Sequence, residues 1–102
     1  MNNMQQLMAR AQKIQAKVNE AQRKLEKEEV TGVAGSGAVS IVLTLKGEMR
    51  SISLQKELID PNEKELLEDL IVAAYNDAKH KADEKYNNGI KEASGGLHIP
   101  GF

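Results

Sequence analysis

The 102-residue chain has no cysteine and no tryptophan, and its aromatic side chains are limited to Tyr75, Tyr86 and Phe102. Without thiols, disulfides, thiolate zinc sites and cysteine nucleophiles are excluded, and a reducing compartment suits such a chain. The core has to be built from Leu, Ile, Val, Ala and Met, with part of the apolar surface expected to be shared with a second subunit. Strands that bind single-stranded DNA or RNA carry stacking rings, and the candidate strands here have none. No apolar run approaches the ~20 residues of a membrane helix. The first dozen residues are polar and do not resemble a signal peptide. Fourteen basic side chains face fifteen acidic ones, which excludes a uniformly basic nucleic-acid binder but not a local basic face. The expectation is one soluble, intracellular domain spanning residues 1–102.

What is present is clear periodicity. Met4, Leu7, Ala11, Ile14, Val18, Ala21 and Leu25 alternate spacings of three and four with no Gly or Pro between them. This a/d heptad pattern predicts one helix over residues 3–28, about 39 Å long. Its narrow apolar seam calls for another helix alongside. The period then changes to two. Strands are expected over about 30–34, 38–45 and 49–54, with Val39, Ile41, Leu43, Ile52 and Leu54 turned inward as core or dimer contacts. Gly35-Ser36-Gly37 and Lys46-Gly47-Glu48 supply the turns of an antiparallel meander. Asp60 as cap, Pro61 at the first helical position and Glu63 open a second helix. Leu66, Leu67, Leu70, Ala74, Ala78, Ala82 and Tyr86 form its stripe, and Asn88-Gly89 closes it, giving a helix over 61–87. Residues 90–102 read as a flexible tail. The order α-β-β-β-α defines an α+β fold with two long helices.

Charge is distributed unevenly. Residues 1–25 carry Arg10, Lys13, Lys17, Arg23 and Lys24 against Glu20 alone, whereas residues 57–92 carry ten acids and five bases. With Met4 at heptad position a, Arg10, Lys17 and Lys24 fall at g and Lys13 and Lys27 at c, along one flank. From Arg10 to Lys24 this flank extends about 21 Å, long enough to follow several phosphates of a duplex strand. Charges beside a seam also pair with neighbouring helices. Glu26, Glu28, Glu29 and the acids of the second helix are available for that.

No catalytic constellation is evident. His80, between Lys79 and Lys81, reads as solvent-facing, and His98 in the Gly-rich tail has nothing to orient it as a general base. The acids Glu63, Glu65, Glu68 and Asp69 lack the spacing of bundle metal sites or EF-hand loops. They suit a helix N-terminus, where the macrodipole favours negative charge. Gly35-Ser36-Gly37 leads into a strand and lacks the Gly-Lys-Ser/Thr of a P-loop. No enzyme activity, metal or cofactor is expected.

Several segments together resemble a known family. They are Met4-Gln5-Gln6-Leu7-Met8, Ala11-Gln12-Lys13-Ile14-Gln15, Val30-Thr31-Gly32, and Gly35-Ser36-Gly37-Ala38-Val39. To these are added Glu57-Leu58-Ile59-Asp60-Pro61, residues 64–78 (KELLEDLIVAAYNDA), and the ending Gly95-Gly96-Leu97 with Pro100-Gly101-Phe102. The pattern is similar to the YbaB/EbfC family of bacterial nucleoid-associated proteins over essentially the whole chain. The resemblance implies a tweezer-like homodimer in the cytoplasm that is associated with the nucleoid and binds DNA; with no stacking rings on the strands, backbone contacts to double-stranded DNA with weak sequence preference are the expected mode. It implies no cofactor, membrane or small-molecule substrate. It transfers no contact residues, so the DNA contacts are assigned from charge: Arg10, Lys13, Lys17, Arg23 and Lys24 first, then Lys79, Lys81 and Lys85. The competing reading is a protein-interaction or chaperone-like dimer that works through the seam Met4, Leu7, Met8, Ala11, Ile14 and Val18.

Overall fold

A computed structural model describes residues 3–95 of the chain. It contains helix α1 (Asn3–Leu25), strands β1 (Glu29–Ala34), β2 (Val39–Thr44) and β3 (Met49–Leu54), and helix α2 (Lys64–Ala93). Two single turns of 3-10 helix, Lys56–Leu58 and Pro61–Glu63, lead into α2. The architecture is α+β in the order α-β-β-β-α. The molecule is a rod of 75 × 18 × 18 Å.

The strands form an antiparallel sheet in the order β1-β2-β3. The β1–β2 turn is made by Gly35, Ser36 and Gly37, all at positive φ (61°, 57° and 92°). That backbone is accessible to glycine without strain, and a lone serine tolerates it at a turn. β2 is the central strand, and its Val39, Ile41 and Leu43 are fully buried against α2. The helix comes close because both surfaces are small. A Cβ built on Gly32 of β1 collides with the Ala74 carbonyl oxygen and with the backbone N and Cβ of Ala78. Gly32, Ala74 and Ala78 are therefore one packing unit, in which the helix backbone rests on the strand backbone.

α2 lies over β1 and β2 and leaves β3 largely uncovered. Ile52 shows the consequence: it is turned to the inward face as expected, but the protomer's own core does not bury it. Its partner in the ladder is Ile41, so both point to the helix side of the sheet, yet Ile52 is 43% exposed. Leu54, opposite Val39, is half-buried, and Met49, opposite Leu43, is exposed. Period-two alternation identifies the face of a strand but not whether the facing helix extends over an edge. A register shift between Val42 and Leu43 leaves Arg50 as the extra residue of β3, the geometry of a bulge.

The helix ends also differ from expectation. α1 stops at Leu25 rather than residue 28, because tight turn bonds from Lys27 N to Lys24 O and Glu28 N to Leu25 O bring the chain round into β1. Lys27 consequently leaves the helical flank. α2 begins at Lys64, after Asp60 caps the preceding 3-10 turn by accepting from Asn62 N at 2.9 Å with Pro61 in the first position. It runs through Asn88-Gly89 and ends at Ala93. Gly89 is a seat for Leu25: a Cβ there would stand 2.6 Å from Leu25 Cδ1. The real stop is Ser94-Gly95, with Gly95 at φ 70° and bonds from Ser94 N to Ile90 O and Gly95 N to Glu92 O. Residues 90–93 are thus helical, and the rest of the expected tail beyond Gly95 lies outside the described residues.

A second core joins the helices. Val18 and Leu25 of α1, Leu45, and Ala82 and Ile90 of α2 are buried together, with Ile14, Ala21, Tyr86 and Ala93 packed against them. The helices run antiparallel, since Leu25 meets Gly89 while Ile14 lies beside Ala93 and Gly95. α2 ends there, and α1 continues past it. The N-terminal part of α1 therefore projects with its seam bare: Met4 is 70% exposed, Leu7 59% and Met8 56%.

Candidate nucleic-acid interface

α1 carries a dense set of exposed positive charge, with Arg10 and Lys13 on its projecting part and Lys17, Arg23 and Lys24 along the part packed on α2. Arg10, Lys13, Lys17, Arg23 and Lys24 all lie on the outside of the fold. Among the described residues, Lys24 alone of these five forms an ion pair, with Glu20 at 3.4 Å, and both side chains are mostly in solvent. An i,i+4 pair so exposed contributes little and opens readily. Arg10, Lys13 and Lys17 follow one another at three and four residues, steps of about 5–6 Å along the helix. Arg23 falls at heptad position f, behind the seam and off the line of the other four.

The nearby acids are committed elsewhere. Glu26 pairs with Lys46 at 3.5 Å, Glu28 with Lys85 at 3.1 Å and Glu29 with Arg50 at 3.6 Å. These contacts draw the acids that follow α1 onto the β2–β3 turn, α2 and β3. The positive flank of α1 is therefore left without neutralising partners from that segment. Sequence spacing could not distinguish the two arrangements, because Glu26, Glu28 and Glu29 are near α1 in the chain and their actual partners are distant.

The second group of candidate cations is differently placed. Lys79 pairs with Asp83, and Lys85 with Glu28. Lys81 bonds to Asp77 Oδ2 and donates to the Thr31 carbonyl, each at 3.0 Å. Asp77 in turn accepts from Val33 N at 2.9 Å. Lys81 and Asp77 thus clamp the outer side of β1 to α2, and Lys81 has a structural task already. The Val33 N–H and Lys81 ammonium hold the Asp77 carboxyl below its ordinary value of 3.8, the backbone bond being the larger influence. A carboxylate held lower in the folded state than in the unfolded one adds stability above its unfolded pKa and loses it as pH falls through the folded value. Asp77→Asn is accordingly expected to lower the thermal midpoint near neutrality and to flatten its decline as pH falls below the ordinary carboxylate range, as followed by circular dichroism.

The uncovered side of β3 forms an apolar trough with α2. Met49 and Ile52 make one wall. Ile71 and Tyr75, successive turns of α2 and half-buried, make the other, and Val72 stands exposed beside them. Lys79, one turn further on, lies close to Gly47 in the β2–β3 turn, which places this flank of α2 on the β3 side.

Metal-ligating side chains are scattered among the described residues. No cluster of three or more His, Asp or Glu side chains that could hold a metal occurs there. The His80 side chain is 82% exposed, with Nε2 3.8 Å from a carboxylate oxygen of Glu84; His98 lies outside the described residues. Among the described residues, no helix is long and apolar enough to cross a membrane.

Known proteins resemble this one throughout its length. A nucleoid-associated protein of Maricaulis maris is 49% identical over 100 residues, covering 98% of this chain and 94% of that protein. One from Beijerinckia indica is 43% identical, covering 98% and 99% respectively. The crystal structure of an uncharacterized protein from Helicobacter pylori superposes with a TM-score of 0.69 at 20% identity, over 86% of this chain and 92% of that one, which shows a shared fold. The signature of the YbaB/EbfC DNA-binding family matches residues 1–97, and the chain belongs to that family.

Proposed function

We propose that the protein is a non-enzymatic, nucleoid-associated DNA-binding protein of the bacterial cytoplasm that works as a homodimer and contacts the phosphates of duplex DNA through its α1 arms. The observation that carries the reading is the unneutralised flank of Arg10, Lys13 and Lys17 on a helix that projects beyond the rest of the fold. Lys24 joins that line once its weak pair with Glu20 opens, and Arg23 supports it from the adjacent face. Lys79, Lys81 and Lys85 are secondary, because each already holds a partner. None of the three described strands carries an aromatic side chain to stack bases, so backbone contact with weak sequence preference is the mode that suits these residues.

The homodimer is supported by the trough between β3 and α2. Met49, Ile52 and Val72 form an exposed apolar surface on a small domain with few other means of burying it. A second copy seated there covers the edge strand and doubles the number of basic arms. Ile52→Lys places an ammonium in this surface and is expected to yield a folded monomer in light scattering. A dimer that withstands the change removes the trough from the interface.

The function itself is tested by anisotropy of a labelled duplex. If six to ten phosphates are engaged across both arms, affinity falls roughly 10³–10⁵-fold between 50 and 200 mM salt. Binding that ignores salt, or no binding at 50 mM, overturns the phosphate-gripping reading.

A further inference from the structure

The projecting part of α1 differs from the rest of the rod in breadth. Residues 3–13 are all exposed, and Ile14, beside Ala93, is the first residue to be half-buried. This arm is a single helix about 16 Å long and about 10–12 Å thick with its side chains. Behind it the rod is 18 Å across. The major groove of B-form DNA is about 12 Å wide and about 8.5 Å deep, and the minor groove is only about 6 Å wide. The arm therefore matches the major groove in breadth, and the packed rod behind it does not enter. The end of α2 acts as a stop.

The chemistry of the arm changes along its length. The heptad count that places Arg10 at g and Lys13 at c places Asn3 at g and Gln6 at c. Two amides thus continue the basic flank to its tip. Neither has a side-chain hydrogen bond among the described residues, whereas Gln15, further back, donates to Asn19 at 3.0 Å. Asn and Gln amides bond adenine through N6 and N7 on the major-groove edge, and cations bond phosphate. We propose, resting on the DNA-binding reading above, that the tip of α1 enters the major groove, with Asn3 and Gln6 against base edges and Arg10 and Lys13 at the phosphates of the rim. The spacing agrees. Entered steeply, a groove about 8.5 Å deep takes about six residues of helix, enough to cover Asn3 and Gln6. Arg10 and Lys13 follow about 10 and 15 Å from Asn3, at and above the rim. Recognition helices likewise present their N-terminal residues to the bases.

The distribution of acids favours entry over contact from outside. A helix lying across a duplex meets phosphates with one flank, and acidic side chains on its other faces do no harm. In a groove, phosphate walls stand on both sides, so acid on any face is repelled. The arm meets that stricter condition. Its opposite flank carries Gln5, Met8, Ala9 and Gln12, and the first acidic residue of the chain is Glu20, about 26 Å from Asn3 along the helix.

The test uses one duplex sequence at low salt, read by anisotropy with the full-length chain. In one form every cytosine is glucosylated 5-hydroxymethylcytosine, which fills the major groove and leaves the phosphates unaltered. In another the unmodified duplex is preloaded with netropsin, which fills the minor groove. Glucosylation is expected to weaken binding about tenfold or more, and netropsin less than about twofold. A third form carries 7-deazaadenine, which lacks only the N7 acceptor of the major-groove edge. It is expected to weaken the native chain and Gln12→Ala about threefold or more, and Gln6→Ala less than about twofold. Equal binding to glucosylated and unmodified duplex, or displacement by netropsin, overturns groove entry while leaving phosphate contact from outside intact. A native response to 7-deazaadenine that is absent, or that Gln6→Ala retains in full, overturns the base contact. Failure to bind the unmodified duplex overturns the DNA-binding reading itself, and groove entry with it.

Discussion

Gly32→Ala is expected to reduce the stability of the fold by about 3 kcal/mol, the upper part of the usual range for overpacking a core. The added methyl has no flexible side chain to displace. It meets the carbonyl oxygen of Ala74 and the backbone nitrogen and Cβ of Ala78, so α2 as a whole must lift from β1. That movement also loosens Val39, Ile41 and Leu43, which depend on α2 for their burial. In a domain of this size the change corresponds to a fall in thermal midpoint on the order of 10–20 °C. Gly37→Ala is the informative comparison. There the new methyl meets nothing within 4 Å, but φ is 92°, and the expected loss is only about 1–2 kcal/mol from backbone strain. Similar losses in the two variants would show that the helix–strand contact at Gly32 is not tight.

The other large effect is on binding. Arg10→Glu, Lys13→Glu and Lys17→Glu combined are expected to weaken duplex binding by about 10³-fold or more at 50 mM salt, since each phosphate neutralised by a cation is worth roughly a decade there. The slope of log affinity against log salt should become shallower by about 0.9 for each phosphate no longer engaged. All three positions are exposed and form no ion pair among the described residues, so the thermal midpoint should hardly change, surface substitutions costing within about 0.5 kcal/mol. Lys85→Gln is expected to alter affinity by less than about a decade, because its ammonium is already bound to Glu28. A triple variant that binds DNA normally would move the interface off α1.

The order of elements and the two turns can be read from the sequence because each depends on local signals: heptad spacing from Met4 to Leu25, alternation from Val39 to Leu43, and glycines where φ turns positive. The exposure of Ile52 cannot, because it depends on how far α2 reaches across the sheet. The end of α2 is hidden for a related reason. Asn88-Gly89 has the composition of a helix stop, but Gly89 is needed for its lack of a side chain, facing Leu25, and not for its backbone freedom. At the candidate site, the positions of the cations on α1 follow from spacing. Their freedom does not, because it depends on Glu26, Glu28 and Glu29 finding Lys46, Lys85 and Arg50 across the fold.

The Asp77–Lys81 clamp has a bearing on assembly as well as on acid stability. Sheets that present two open borders can add copies at both and grow without limit, which is how edge strands lead to fibres. Here Asp77 occupies the Val33 N–H and Lys81 the Thr31 carbonyl on the outer side of β1, and among the described residues β3 is the border without such cover. A sheet with one usable border can join another like it once, and the joined pair then has none left. In the homodimer proposed above, two side chains on one turn of a helix would thereby hold growth through the sheet to two copies, even where many copies lay along one DNA molecule.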